Sequence, residues 1–151
     1  MSAFADQRQT MNQGVLMTSA TELYRPSILV VDDEHLIADT LAQILILRGY
    51  DAVPAYSGEE ALQSALRTSP ELLITDIVMP GMNGIELAIR LQHIAPQCKV
   101  ILTSGHSLST QLLDLARKEG RHFAFLYKPV HPAQLLMHVS EIITGIIALH
   151  P

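Results

Sequence analysis

The sequence predicts an α/β fold: a doubly wound, five-stranded parallel sheet built as five strand–helix units, (βα)5, with helices on both faces. Five short runs, most of them rich in Val, Ile and Leu, are each followed by apolar residues at helical spacing, so extended and helical periods alternate along the chain. The runs lack the polar residue at every second position that a half-exposed strand would show, the pattern of strands buried on both faces of a parallel sheet. The 151 residues are 48% hydrophobic and 17% charged, enough for one well-packed core and too few for two ordinary domains.

Residues 1–25 are polar, carry Asp6 and Glu22 against Arg8 and Arg25, and show no sustained periodicity, so they read as a flexible leader; Met11 and Met17 are alternative candidate starts. The folded unit is expected over 26–148. Ile28-Leu29-Val30-Val31 is the first strand, followed by Ile37, Leu41, Ile44 and Leu45 on a helix that Gly49 closes. The second strand spans 51–55, and Ser57-Gly58-Glu59-Glu60 supplies a capping box ahead of Leu62, Ala65 and Leu66. Ser69-Pro70 breaks that helix. Leu72-Leu73-Ile74-Thr75 is the third strand, and Pro80-Gly81-Met82-Asn83-Gly84 forms a loop before Ile85, Ala88, Ile89 and Gln92. Ala95-Pro96 stops the third helix, Val100-Ile101-Leu102-Thr103 is the fourth strand, and Leu112, Leu113 and Ala116 mark a fourth helix ending at Gly120. The fifth strand is read over 123–127. Pro132 then opens a fifth helix with Leu135, Leu136, Val139, Ile142, Ile143 and Ile146 on a broad apolar face.

Several function classes are disfavoured. The formal net charge is −5, and only Arg117-Lys118 pairs two bases, so no stripe exists to neutralise a nucleic-acid backbone. Cys98 is the single cysteine, which allows neither an intramolecular disulfide nor a cysteine-based metal site, and a reducing cytosol is expected. The first 25 residues carry no export signal, and the apolar stretch over 142–149 is too short to span a bilayer, so a soluble cytoplasmic protein is expected.

The first strand ends in Asp32-Asp33, the third in Asp76, the fourth in Thr103 and the fifth in Lys128. In open parallel sheets functional groups collect beyond the carboxyl ends of the strands, so all five positions are expected to point into one crevice. Three carboxylates there repel by roughly 4 kcal/mol per close pair at an effective dielectric of about 20, so a cation must sit among them. Hard oxygen donors without a nearby cysteine select Mg²⁺ or Mn²⁺ over zinc. Asp76 is then the natural nucleophile, because a carboxylate can form an acyl phosphate while a metal neutralises the transferring group. Lys128 adds a second cation. Thr103 offers a hydroxyl to a phosphoryl oxygen without reaching Asp76 itself.

Four stretches carry a family resemblance: Val30-Val31-Asp32-Asp33-Glu34, Thr75-Asp76-Ile77-Val78-Met79-Pro80-Gly81-Met82-Asn83-Gly84, Leu102-Thr103-Ser104-Gly105 and Lys128-Pro129. In this order on five strand–helix units, from about Ile28 to about Ile146, they resemble the receiver domain of two-component response regulators. The resemblance implies a flavodoxin-like sheet of order 2-1-3-4-5 and a phosphoryl group accepted on Asp76 from a histidine kinase or histidine phosphotransfer protein. It implies magnesium held by Asp33, Asp76 and the carbonyl of Val78, with Asp32 acting through water. Thr103 and Phe125 would form the switch pair, the hydroxyl moving toward the phosphate and the ring turning inward behind it. Ser104 is small, as access to the aspartate requires. The protein would catalyse only its own phosphorylation and dephosphorylation. With the fifth helix reaching almost to Pro151, a stand-alone switch without an output domain is expected.

Two departures fall on the face through which such proteins signal. Phe125 stands where tyrosine is common, and Tyr127 is expected to have the wrong strand parity to replace it; Gly120-Arg121-His122 replaces the usual Gly-Ala. The apolar positions of the fifth helix exceed one stripe, so the helix 4–strand 5–helix 5 face is expected to dock a partner or a second copy. Phe125 equally fits a core aromatic, and His35 and His106 fit solvent-exposed loop histidines. A flavodoxin-type cofactor carrier is rejected because Asp32-Asp33-Glu34 would repel a phosphate. A haloacid-dehalogenase-like phosphatase is rejected because its first strand would end in Asp-x-Asp. The alternative that survives is a degenerate receiver that binds partners without phosphorylation.

Overall fold

The computed structural model describes residues 24–145, in which five strands and five helices alternate strictly. They are β1 (Ser27–Val31), α1 (His35–Leu47), β2 (Asp51–Ala55), α2 (Gly58–Thr68), β3 (Leu72–Asp76), α3 (Gly84–Ile94), β4 (Lys99–Ser104), α4 (Leu108–Lys118), β5 (Ala124–Tyr127) and α5 (Pro132–Thr144). All neighbouring strands are parallel, in the order β2-β1-β3-β4-β5, which is the doubly wound arrangement expected from the sequence. The leader reading over 1–23, and Ile146 with the rest of the apolar stretch after it, lie outside the described residues. β5 begins at Ala124 and not at Phe123, because the register with β4 starts at the Ile101–Ala124 pair.

Local chemistry sets the helix ends. The Ser57 side chain accepts from the amide of Glu60 at 3.1 Å, while Glu60 accepts from the amide of Tyr56, one residue ahead of the cap, so the capping box closes around the β2–α2 turn. Asn83 caps α3 in the same way through the amide of Glu86, at 2.9 Å. α2 ends at Ser69, held at φ 45°, and Pro70 cannot continue the helix. Pro54 lies in β2, an edge strand, where the missing N–H disrupts no central ladder.

Strand alternation then divides the core in two. Leu29, Val31, Leu73 and Leu102 meet α2, α3 and α4 on one face; Ile28, Val30, Leu72, Ile74, Ile101 and Leu126 meet α1 and α5 on the other. Each fully buried Leu or Ile side chain contributes roughly 2 kcal/mol, so β3, which buries Leu72, Leu73 and Ile74, is anchored far more firmly than β5, which buries only Leu126.

Candidate functional site

The parallel register brings the ends of β1, β3 and β4 to one edge of the sheet: Val31 pairs with Thr75, and Asp76 with Thr103. One carboxylate oxygen from each of Asp32, Asp33 and Asp76 lies within 4.8 Å of the others. Lys128, just past β5, donates from Nζ to Asp32 Oδ2 at 2.6 Å and lies 3.3 Å from Asp76 Oδ2. The second oxygen of Asp32 accepts from the amide of Glu34 at 2.9 Å, so this buried carboxylate is bonded on both sides. Asp33 and Asp76 face an open cleft of about 550 Å³, walled also by Glu34, Val78, Met79, Pro80, Ser104, Gly105, His106 and Lys128.

Burial pushes the Asp76 carboxyl above its ordinary range; Lys128 opposes the rise and Asp32 adds to it. Burial also works against the Lys128 ammonium as the largest single influence, but its bonds to Asp32 and Asp76 and their charges together outweigh it, and its pKa is raised. One ammonium thus faces three carboxylates. The donor set is all hard oxygen, and the unbalanced negative charge suits a small divalent cation, so the residues present fit Mg²⁺ or Mn²⁺.

The structure brings Asp32, Asp33, Asp76 and Lys128 together as the sequence reading expected. Thr103 sits beside Asp76 in register but is 2% exposed and does not line the open cleft; its carbonyl accepts from the amide of Ile77. Val78 and Ser104 line it. Phe125 is half-buried against the α2–α3–α4 side of the core. The parity expected for Tyr127 is corrected: side chains two apart on a strand share a face, and the Tyr127 ring packs edge-on against Phe125 with centroids 4.6 Å apart. Leu126 points to the opposite face.

Three features escaped the sequence reading. A Cβ at Gly84 would lie 2.0 Å from the carbonyl oxygen of Asp76, so only glycine allows α3 to start against the end of β3; the Asn83-Gly84 pair ahead of a helix was the available signal. Ser109 donates a short hydrogen bond to Ser104, tying the first turn of α4 to the end of β4. His35 stacks on Tyr56 at 3.8 Å, and the Tyr56 hydroxyl donates to Asp39 at 2.6 Å, joining α1 to the β2–α2 turn beside the acids.

Residues 28–140 match the family described as response regulator receiver domain. A response regulator receiver protein of Anaeromyxobacter sp. (strain Fw109-5) is 38% identical over 108 residues, covering 72% of this chain and 44% of that protein. YesN of Bacillus subtilis (strain 168), named an uncharacterized transcriptional regulatory protein, is 31% identical over 119 residues, 77% of this chain and 32% of that protein. The chain therefore spans less than half the length of these two relatives. A solved CheY-like response regulator receiver domain protein from Methanospirillum hungatei JF-1 has a TM-score of 0.71 and 31% identity, covering 81% of this chain and 96% of its own.

Proposed function

The chain belongs to the response regulator receiver domain family, and from that premise we propose that it is a phosphorylation-dependent switch accepting a phosphoryl group on Asp76 from a sensor histidine kinase or histidine phosphotransfer protein. Members of this family are signalling switches. The observation that carries the proposal is the convergence of the Asp32, Asp33 and Asp76 oxygens within 4.8 Å, with the Lys128 amine 3.3 Å from Asp76.

In this reading an oxygen of Asp76 attacks phosphorus, the bond from phosphorus to the donor's imidazole nitrogen breaks, and the donor leaves with its electron pair. Lys128 would hold a phosphoryl oxygen. Asp33, Asp76 and the Val78 carbonyl would hold Mg²⁺ or Mn²⁺, with Asp32 through water; when bound, the ion neutralises charge on the transferring group. The chemistry is confined to the chain's own phosphorylation and dephosphorylation.

Phosphorylation adds about −1.5 to −2 charges at the cleft, and Thr103 and Phe125 are proposed to relay that change outward. The proposed output surface is α4–β5–α5, which would contact a downstream protein or a second copy. Its support is the exposed apolar side chains there, Leu115, Tyr127 and Met137. Direct nucleic-acid or membrane binding forms no part of the proposal, and a cytoplasmic setting does; among the described residues no helix is long and apolar enough to cross a membrane.

Incubation with a small-molecule phosphodonor and Mg²⁺ tests the reading by intact mass. The wild type should gain one phosphoryl group and Asp76→Asn none. No gain on the wild type would favour a binding module that works without phosphorylation.

A further inference from the structure

Resting on the assignment of Asp76 as acceptor, we propose that His106 sets the lifetime of the phosphorylated state by taking a proton from the water that hydrolyses it. Hydrolysis of the acyl phosphate needs a water oxygen to bond to phosphorus while the Asp76 Oδ–P bond breaks, the electron pair returning to the Asp76 carboxylate. The water proton needs an acceptor at the mouth of the cleft. Most polar groups there are already engaged. Lys128 is bonded to Asp32 and faces Asp76, and Asp33 is assigned to the metal. Val78, Met79 and Pro80 offer no side-chain acceptor for a water proton. Ser104 accepts from both the His106 amide and the Ser109 hydroxyl.

Two free acceptors remain on the wall, Glu34 and His106, neither of which makes a side-chain hydrogen bond among the described residues. They stand on different loops, Glu34 after β1 and His106 after β4. Glu34 shares its turn with Asp32 and Asp33, where another negative charge is accumulated, and at neutral pH an imidazole is a better proton acceptor than a carboxylate.

The backbone also favours His106. Its amide donates to Ser104 Oγ at 3.1 Å, its carbonyl accepts from the Ser109 amide at 3.1 Å, and the two serine hydroxyls bond to each other. Both serines are 2% exposed, so a buried polar clamp fixes the backbone on which His106 lines the cleft. The imidazole receives the proton as the O–P bond forms and returns it to the departing phosphate, leaving Asp76 ready for another cycle.

The test follows the decay of phosphorylated wild type, His106→Ala and Glu34→Gln after removal of the phosphodonor, with and without added imidazole. His106→Ala should decay at least roughly ten-fold more slowly, a conservative figure against the roughly 10² to 10⁴ of a well-placed general base. Imidazole should speed its decay and leave the wild type unchanged, which a purely structural role would not produce, and Glu34→Gln should change the lifetime less than His106→Ala. Equal rates of phosphorylation in wild type and His106→Ala would locate the effect in hydrolysis. A His106→Ala lifetime within about two-fold of wild type, or no rescue by imidazole, overturns the inference while leaving Asp76 as acceptor. Failure of the wild type to become phosphorylated overturns both.

Discussion

The carboxyl end of β1 and β3 and the outer edge formed by α4, β5 and α5 are built to different standards. At the first, every residue of β3 is buried, Asp32 is bonded on both oxygens, and Gly84 brings a helix start into contact with the Asp76 backbone. At the second, β5 buries one residue of four, α5 buries Leu135 and Val139, and Tyr127 is 75% exposed. Few buried contacts mean a low local cost of rearrangement, so the site end has the rigidity that the proposed chemistry would require and the edge the freedom that the proposed readout would require.

The contrast can be broken most decisively by stability. Ile74→Ala on β3 is expected to cost about 2–5 kcal/mol, and Tyr127→Ala on β5, which loses only the edge-on contact with Phe125, about 1 kcal/mol; urea unfolding of the two variants measures the gap, and equal losses would erase the distinction. Lys128→Met takes away the ammonium between Asp32 and Asp76 and should cost about 3 kcal/mol in metal-free buffer. Added Mg²⁺ should then restore part of the lost Tm, and no recovery would count against metal binding by the acids. Gly84→Ala should cost about 1–3 kcal/mol by the same unfolding measurement, because the atom its Cβ meets is backbone and cannot swing aside.

Smaller effects sharpen the picture away from the cleft. Ser57→Ala removes the α2 cap and should cost about 1 kcal/mol. Cys98, immediately before β4 and remote from the acids, has its thiol pushed up by burial from 9.0 to about 11. Because the unfolded thiol ionises first, the stability this contributes is present below pH 9.0 and is lost as pH rises toward about 11. At mildly alkaline pH the folded protein should alkylate at Cys98 far more slowly than the urea-unfolded chain; equal rates would show that the thiol is not protected.

Much of this was legible in the sequence because punctuation and periodicity agree. Gly49 and Ser57 bracket β2 so tightly that its read and observed limits coincide, and the continuous apolar runs of β1 and β3 announce strands covered on both faces. The acids could be brought together on paper because parallel strands must end on one edge. Contacts between segments without a motif could not: nothing local couples His35 to Tyr56 or Ser104 to Ser109. Nor could spacing show that Lys128 would lie 2.6 Å from Asp32 and 3.3 Å from Asp76. The misjudged parity of Tyr127 hid an aromatic pair on the edge where output is proposed.

Hydrogen exchange along the whole chain, with and without a phosphodonor and Mg²⁺, tests most directly whether chemistry at Asp76 is read at the α4–β5–α5 edge. Phosphorylation should change exchange in the loop after β4 and along β5, leave the β1 and β3 core amides unchanged, and do neither in Asp76→Asn. A phosphorylated wild type whose β4–α4 loop and β5 exchange as before, or an identical response in Asp76→Asn, would contradict the account.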